Sequence, residues 1–358
     1  MRQNSKYQAW HNQPQNGRGR NRFLGGVTAL ASLGLGIASY ALFHDPMRER
    51  MDRLTLRIPN AAGRLPRRGL RILHLTDTHF RGADWRERPK IEHIRRITDG
   101  MEVDVLIHTG DFLQDDRGLP NTLTLLDLLP KPRIASFAVL GNHDYSVYGH
   151  GEMLSRGWAN FNHSQNGYGA NGNNYGPIHQ LRRFIQFGRY FANAPLDLKR
   201  TGTNDTGALK RELIARNVRI LQNQHVRLLH RNGDGEDIDV YMAGIDDLTE
   251  GKPDLLTALQ GIPVSAPTVL LSHNPDIVGT AGIERADVVL AGHTHGGQIV
   301  LPLLGPAHTH SEQLSRREAS GYLRRGSTQV YISRGVGEGI PLRFAAAPQI
   351  ALVTLLPG

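Results

Sequence analysis

The chain of 358 residues contains no cysteine. That absence excludes structural disulfides, thiolate zinc sites, iron–sulfur clusters and thiol nucleophiles together. Aromatic residues are also few, at 6%, while 39% hydrophobic and 21% charged residues describe a folded chain rather than a disordered one. No internal repeat is evident. The length allows one large domain or two small ones, with a sizeable core in either case. Without thiols, any metal chemistry falls to carboxylates, amides and the 17 histidines.

The formal charge of +9 first suggests a nucleic-acid partner. Its distribution argues otherwise. Residues 1–71 hold 13 Lys/Arg and three acids, whereas residues 72–358 hold 29 and 30 and are nearly neutral. No nucleic-acid partner is therefore expected for the body.

Within the basic segment, Phe23–Phe43 carries no charge over 21 residues. As a helix at about 1.5 Å per residue it spans the roughly 30 Å hydrocarbon core. Arg18, Arg20 and Arg22 precede it, and Arg48, Arg50, Arg53 and Arg57 follow. The expectation is a basic polar tail (1–22), one N-terminal transmembrane helix (23–43) and a linker (44–69). A cleaved signal or a buried soluble helix are the alternatives. With arginines on both flanks the positive-inside comparison nearly cancels. Arg20–Leu24 (RNRFL) resembles a twin-arginine export signal with its arginines separated, which leans toward the extracytoplasmic side.

From Leu70 onward short apolar runs end in Asp, Asn or His. Arg71–Thr76 leads to Asp77, Asp104–Thr109 to Gly110-Asp111, and Ile134–Leu140 to Gly141-Asn142-His143-Asp144. Thr268–Leu271 leads to Ser272-His273, and Asp287–Ala291 to Gly292-His293. Near-continuous Val/Ile/Leu runs suit strands buried on both faces. Lys90–Gly100, Leu119–Leu129 and Ala208–Leu221 have helical spacing, so an α/β layered body is expected. Asp239–Ile245, Gln329–Ser333 and Gln349–Leu355 read as strands of a second sheet. Tyr145–Thr206, rich in Gly and Asn, reads as an insertion at about 145–206 that acts as a substrate-covering cap or a surface loop.

The five run ends collect Asp77, His79, Asp111, Asn142, His143, His273, His293 and His295. All are oxygen or imidazole donors, and together they can hold two divalent cations. The Asp77/His79 and His293/His295 spacings put residues i and i+2 of an extended segment on one side, where a pair can converge on one ion. Gly110, Gly141 and Gly292 precede ligands and allow close approach of backbone to the site. His74, His108, His225 and His230 read as core or surface histidines; His150, His163, His179, His308 and His310 fall in loops.

The ordered blocks Asp77-Thr-His79, Gly110-Asp111, Gly141-Asn142-His143-Asp144, Ser272-His273 and Gly292-His293-Thr-His295 resemble the calcineurin-like metallophosphoesterases over roughly Leu70–Leu355. The runs at 292–302 and 333–344 resemble the bacterial membrane-associated or exported phosphodiesterases of that superfamily. The resemblance implies a four-layer α-β-β-α sandwich of two mixed β-sheets over residues 70–358. It implies Asp77, His79 and His295 on a first metal, Asn142, His273 and His293 on a second, and Asp111 bridging both. His143 would stabilise or protonate the leaving oxygen, with Asp144 orienting its ring. The ions expected are two divalent cations per chain, Mn²⁺ foremost, with Fe or Zn²⁺ as alternatives.

The implied activity is a phosphodiesterase or pyrophosphatase using a metal-bridging hydroxide. The partners are a phosphoester substrate, a lipid-linked one such as UDP-2,3-diacylglucosamine in some relatives, and the bacterial inner membrane through the N-terminal helix. A catalytically silent metal-bound membrane scaffold and a phosphodiesterase acting on nucleotides or nucleic acid are the other readings. Two departures stand out: the insertion is long, and Gln349 stands where the resemblance leads to Glu.

Overall fold

The computed structural model describes residues 32–59, 61–149, 199–231, 237–303 and 305–358, with residue 186. Its strands are β1 (Arg50–Ile58), β2 (Leu70–Leu75), β3 (Val105–Thr109), β4 (Ala135–Val139), β5 (Ser146–Gly149), β6 (Lys199–Thr203), β7 (Val218–Ile220) and β8 (Gln224–His230). There follow β9 (Ile238–Gly244), β10 (Thr268–Leu271), β11 (Val288–Ala291), β12 (Val300–Leu301), β13 (Gly305–Pro306), β14 (Gly321–Arg325), β15 (Thr328–Ile332) and β16 (Gln349–Pro357).

Two six-stranded sheets form the body, ordered β1-β16-β2-β3-β4-β7 and β14-β15-β11-β10-β9-β8. Both are mixed. In the first, β2, β3, β4 and β7 run parallel while β16 is antiparallel to β2. In the second, β9, β10, β11 and β15 run parallel and β8 and β14 are antiparallel edges.

Three apolar layers explain the continuous Val/Ile/Leu runs. Side chains alternate across a strand, so Leu70 and Ile72 face the other sheet while Leu73 and Leu75 face helices. Val105, Ile107, Phe137 and Val139 meet Val240, Met242, Val269, Leu271, Val288 and Leu290 between the sheets. Outside the first sheet, helix Glu87–Thr98 buries Ile91 and Ile94, Leu119–Leu128 buries Leu125 and Leu126, and Thr206–Ala215 buries Leu209 and Leu213. Each sets its apolar residues at helical spacing. Outside the second sheet, among the described residues, lie the short helix Leu255–Leu259 and 3₁₀ turns.

Three readings need correction. The segment 44–69 is not a linker. It contains β1, which pairs along its length with β16, and it sends Leu56, Ile58, Ala61 and Leu65 into the inter-sheet core. The alternation Leu54, Leu56, Ile58 was the readable signal of a half-buried strand. Helical spacing over 208–221 ends early. Helix Thr206–Ala215 stops before Asn217, whose φ is 58°, and Val218–Ile220 becomes the edge strand of the first sheet. Finally, Gln349 opens β16 in the first sheet rather than the second. Its amide nitrogen donates to the Asp52 carboxylate and its oxygen accepts from the Arg334 backbone and Nε. A glutamate there would set two carboxylates side by side.

The insertion is closed at its base by the antiparallel pair β5/β6; 150–198 apart from 186 lie outside the described residues. So do residues 23–31 of the apolar segment. Its described part is α-helical over 32–39, makes a π turn at Tyr40–His44 and exposes Leu33, Leu35 and Phe43. Among the described residues no helix is long and apolar enough to cross a membrane.

Leu56→Ala will therefore cost about 2–5 kcal/mol in denaturant unfolding, although it lies in no metal loop. A change below half a kcal/mol would mean that β1 adds little to the sheet.

Candidate metal centre

Parallel strands of each sheet deliver their C-terminal ends to one edge of the body, where ligands of α/β sheets bind. β2 leads into Asp77 and His79, β3 into Asp111, and β4 into Asn142, His143 and Asp144. β10 leads into His273, and β11 into His293 and His295. All of these are buried except His293, which is partly so.

Two clusters result. In one, the Nε2 atoms of His79 and His295 lie 3.0 Å apart, with Asp77 Oδ1 at 3.7 and 3.6 Å from them. In the other, His273 Nε2 faces His293 Nδ1 at 3.1 Å and Asp111 Oδ2 at 3.2 Å. Asp111 Oδ2 also lies 3.3 Å from His79 Nε2, so this oxygen reaches both clusters. Both triads satisfy the ligand-atom spacing of a metal site, as does His79–Asp111–His143.

The donors fit divalent cations. Facing ring nitrogens about 3 Å apart share at most one proton between them. The Asn142 Oδ1 atom is buried without a hydrogen-bond partner among the described residues. The donor set is imidazole, carboxylate and amide, which suits Mn²⁺, Fe or Zn²⁺.

Surrounding groups orient these donors. His79 Nδ1 bonds Gln114 Oε1 at 2.9 Å and His273 Nδ1 bonds the Thr109 carbonyl at 2.8 Å, which turns both Nε2 atoms inward. The fully buried Arg343 guanidinium approaches His295 Nδ1 at 3.3 Å while donating to the carbonyls of Arg334 and Ala346. Thr76 donates its hydroxyl to Asp77 at 2.7 Å. The backbone is bent to match. Asp77, His79, Asp111, His293 and His295 all have φ between 47° and 71°, a left-handed conformation that is costly for non-glycine residues and concentrates at functional sites. A Cβ on Gly141 would strike the Asp111 carboxylate, and one on Gly292 the Asp77 carboxylate.

Electrostatics follow from packing two carboxylates here. Burial alone would raise Asp77, but His295, the His79 hydrogen bond and His273 hold it far below the usual carboxylate range. Asp111 likewise lies well below it, against burial, because of His273, His143 and His79. Burial works against a charged His273, yet Asp111 lifts its pKa to about 10. Burial pushes His293 down to about 3, and burial with His79 and Arg343 pushes His295 well down, leaving neutral donors. Burial also lowers His74 to about 4 and His108 to about 3, as expected for core histidines.

The spacing argument holds for one pair and not the other. Asp77 and His79 do converge, but through left-handed turns beyond the strand end rather than through an extended pleat. His293 and His295 separate, one to each cluster. Asp144 spends its carboxylate on the backbone N–H groups of Asp111, Phe112, Leu113 and Gly141 at 2.8–3.1 Å, so it clamps the Asp111 loop. Burial and the Asp111 charge push it up to about 8, against those four donors.

His143 donates its backbone N–H to Asp111 Oδ1 at 2.8 Å. Its ring stands edge-on to His79 at 4.6 Å and to Tyr148 at 4.8 Å, and the Tyr148 hydroxyl bonds Glu250 at 2.5 Å. Sequence reasoning missed Gln114, Tyr148, Arg343 and Asp247. Asp247 follows β9, is buried, and has one carboxylate oxygen without a hydrogen-bond partner among the described residues. Burial lifts it to about 6 against the pull of His273. Its cue was that β9, like β2 and β3, is followed within three residues by an acid. His310, read as a loop residue, brings its ring to 6.1 Å from that of His293.

A family model for calcineurin-like phosphoesterases matches residues 70–297. The chain is 28% identical to UDP-2,3-diacylglucosamine pyrophosphatase LpxG of Chlamydia trachomatis over 325 residues, covering 87% of this chain and 91% of that protein. It is 26% identical to LpxG of Chlamydia muridarum over 344 residues, covering 92% and 96%. It is 37% identical to the metallophosphoesterase YkuE of Bacillus subtilis over 135 residues, covering 36% and 46%.

Gln114→Leu will weaken Mn²⁺ binding about 10–100-fold in calorimetric titration while leaving the circular dichroism unchanged. An unaltered affinity would remove Gln114 from the metal centre.

Proposed function

The chain belongs to the calcineurin-like phosphoesterase family, and from that premise we propose that it hydrolyses the pyrophosphate bond of a lipid-carrying nucleotide sugar of the UDP-2,3-diacylglucosamine type. It is a metallophosphoesterase, a hydrolase of phosphoester or anhydride bonds. The observation that carries the reading is the pair of buried donor clusters joined through one oxygen of Asp111. Similarity to proteins named UDP-2,3-diacylglucosamine pyrophosphatase over 91–96% of their length supports the substrate.

On this reading Asp77, His79 and His295 would hold one cation and Asn142, His273 and His293 a second, with Asp111 near enough to both clusters to serve either. When bound, the cations supply Lewis-acid polarisation of a phosphoryl oxygen and a lowered pKa for water. Mn²⁺ is the ion we expect. The chain's own residues do the rest. Gln114 and the Thr109 carbonyl keep the imidazole lone pairs inward. Asp144 fixes the loop that carries Asp111. His143, held edge-on between His79 and Tyr148, stands ready to give a proton to the departing phosphate oxygen. No covalent intermediate on the protein is required. The apolar segment 23–43 serves as the membrane anchor that keeps this edge near lipid. All seven residues that the family resemblance implies as ligands are present in this sequence, which favours an enzyme over a silent scaffold.

Full-length protein with Mn²⁺ will release UMP from UDP-2,3-diacylglucosamine, and chelation will abolish the reaction until Mn²⁺ is restored. Hydrolysis of bis(p-nitrophenyl) phosphate with none of the lipid nucleotide would refute the substrate and keep the enzyme class. His143→Ala will lower kcat about 10²–10⁴-fold at unchanged Mn²⁺ content. A fall in bound Mn²⁺ would make His143 a ligand instead of a proton donor.

A further inference from the structure

A cavity of about 240 Å³ lies on the helix side of the first sheet, away from the metal centre. At about 30 Å³ of liquid volume per water, it has room for roughly eight waters or one molecule of about eight to ten non-hydrogen atoms. Its floor is a single row across three strands. Leu106 of β3 stands in register with Ser136 of β4, and Ser136 with Val218 of β7. Leu106 and Val218 belong to the buried cluster under the helices, and Leu126 of helix Leu119–Leu128 closes one side. At about 3.3 Å per residue along β4, the row lies about 20 Å from Asn142.

The walls are fixed and the space is left open. Ser136 sits in the middle of an otherwise apolar row, where a leucine would fill the gap between Leu106 and Val218. Its half-buried hydroxyl has no hydrogen-bond partner among the described residues. Arg216 follows helix Thr206–Ala215 and donates to Asp127 from Nε and Nη2 at 3.0 and 3.2 Å and to Glu212 from Nη1 at 2.8 Å. It therefore ties two helices together beside the cavity, and its charge is answered. Pro130 and Pro132 stiffen another wall, since each ring holds φ near about −65°. Between them Lys131 is exposed, and among the described residues it makes no hydrogen bond or ion pair.

The lining thus offers an apolar floor, one free hydroxyl and one free cation, while Arg216 is paired off. An occupant that answers all three carries a negative charge, an aliphatic body and a second oxygen. We propose that the cavity over Leu106, Ser136 and Val218 is a binding site for a small hydroxy- or oxo-carboxylate. Its carboxylate meets the Lys131 ammonium, its body covers the leucine and valine side chains, and its second oxygen meets the Ser136 hydroxyl. The site is separate from the metal centre, and the inference does not rest on the phosphohydrolase reading.

The test uses full-length protein in detergent, loaded with diamagnetic Zn²⁺ and carrying isotope-labelled isoleucine methyl groups. Ile134 lines the cavity, and Ile134→Val identifies its nuclear magnetic resonance signal by removing it. The probes are 6-hydroxyhexanoate and 6-amino-1-hexanol, which share a body and a hydroxyl and differ in charge. The Ile134 signal should move saturably with the carboxylate, at an affinity about threefold or more above that for the amine, the scale of an exposed ion pair. Lys131→Glu should reverse this preference. Ser136→Leu, which fills the floor, should leave the Ile134 signal unmoved by either probe while the other isoleucine signals keep their places. Ser136→Val provides the same comparison if the leucine variant does not fold. An unmoved Ile134 signal in the native protein, equal affinities for the two probes, a preference unchanged in Lys131→Glu, or binding undiminished in both Ser136 variants overturns the site.

Discussion

Two carboxylates, Asp77 and Asp111, lie at 0% and 1% exposure within about 4 Å of imidazole nitrogens at the edge where the two sheets meet. Burying an anion without a counter-charge is prohibitive, so such groups are found paired or bound to metal. The surroundings answer that demand. Four imidazoles converge on the pair, and the Asp111 carboxylate raises the pKa of His273 against the effect of burial. Glycines clear the space that the carboxylates occupy, and the ligand backbones adopt left-handed turns that only a well-supported loop sustains. That support comes from strands. Each strained residue lies within four residues of the end of a strand paired on both sides, so the cost of the turn is borne by the sheet.

The supporting groups divide by what they hold. Gln114, the Thr109 carbonyl and Arg343 act on ring nitrogens and set which lone pair faces inward. Asp144 acts on four amides and sets the path of the Asp111 loop. Tyr148 acts on the His143 ring through packing, with Glu250 fixing its hydroxyl. Such groups need not touch substrate to matter, because a displaced ligand changes both the affinity for a cation and the geometry of a reacting phosphate.

The strand ends were legible from local pattern, since a buried strand writes a continuous apolar run and its ligand follows within two or three residues. The positions of β2, β3, β4, β10 and β11 and the donors they deliver follow from that rule. What local pattern does not carry is pairing at a distance. β1 looked like a spacer because half its residues are polar; the alternation of Leu54, Leu56 and Ile58 marks a strand, but only the pairing with β16 says where that strand lies. Gln349 looked like a departure until Asp52, nearly 300 positions earlier in sequence, supplied the carboxylate it answers. Gln114 reaches a ring nitrogen from a segment without a signature of its own, and Arg343 lies in a recognisable run (333–344) that does not reveal its reach to His295. The assignment of His293 and His295 to separate clusters depends on the turn at Thr294, which spacing alone cannot reveal.

The place of β16 sets the order in which the molecule can be made. It is inserted between β1 and β2, pairing Arg50 with Gln349, so the earliest strand of the first sheet waits for the last. Contacts so far apart in sequence form late. The run just before β16 carries Arg343 to His295, and Gly335 lies against Asp77. During synthesis the ligand loops thus emerge before the segment that locks them. A chain cut before this run would keep every candidate donor and lose the contacts that hold His295 and Asp77 in place.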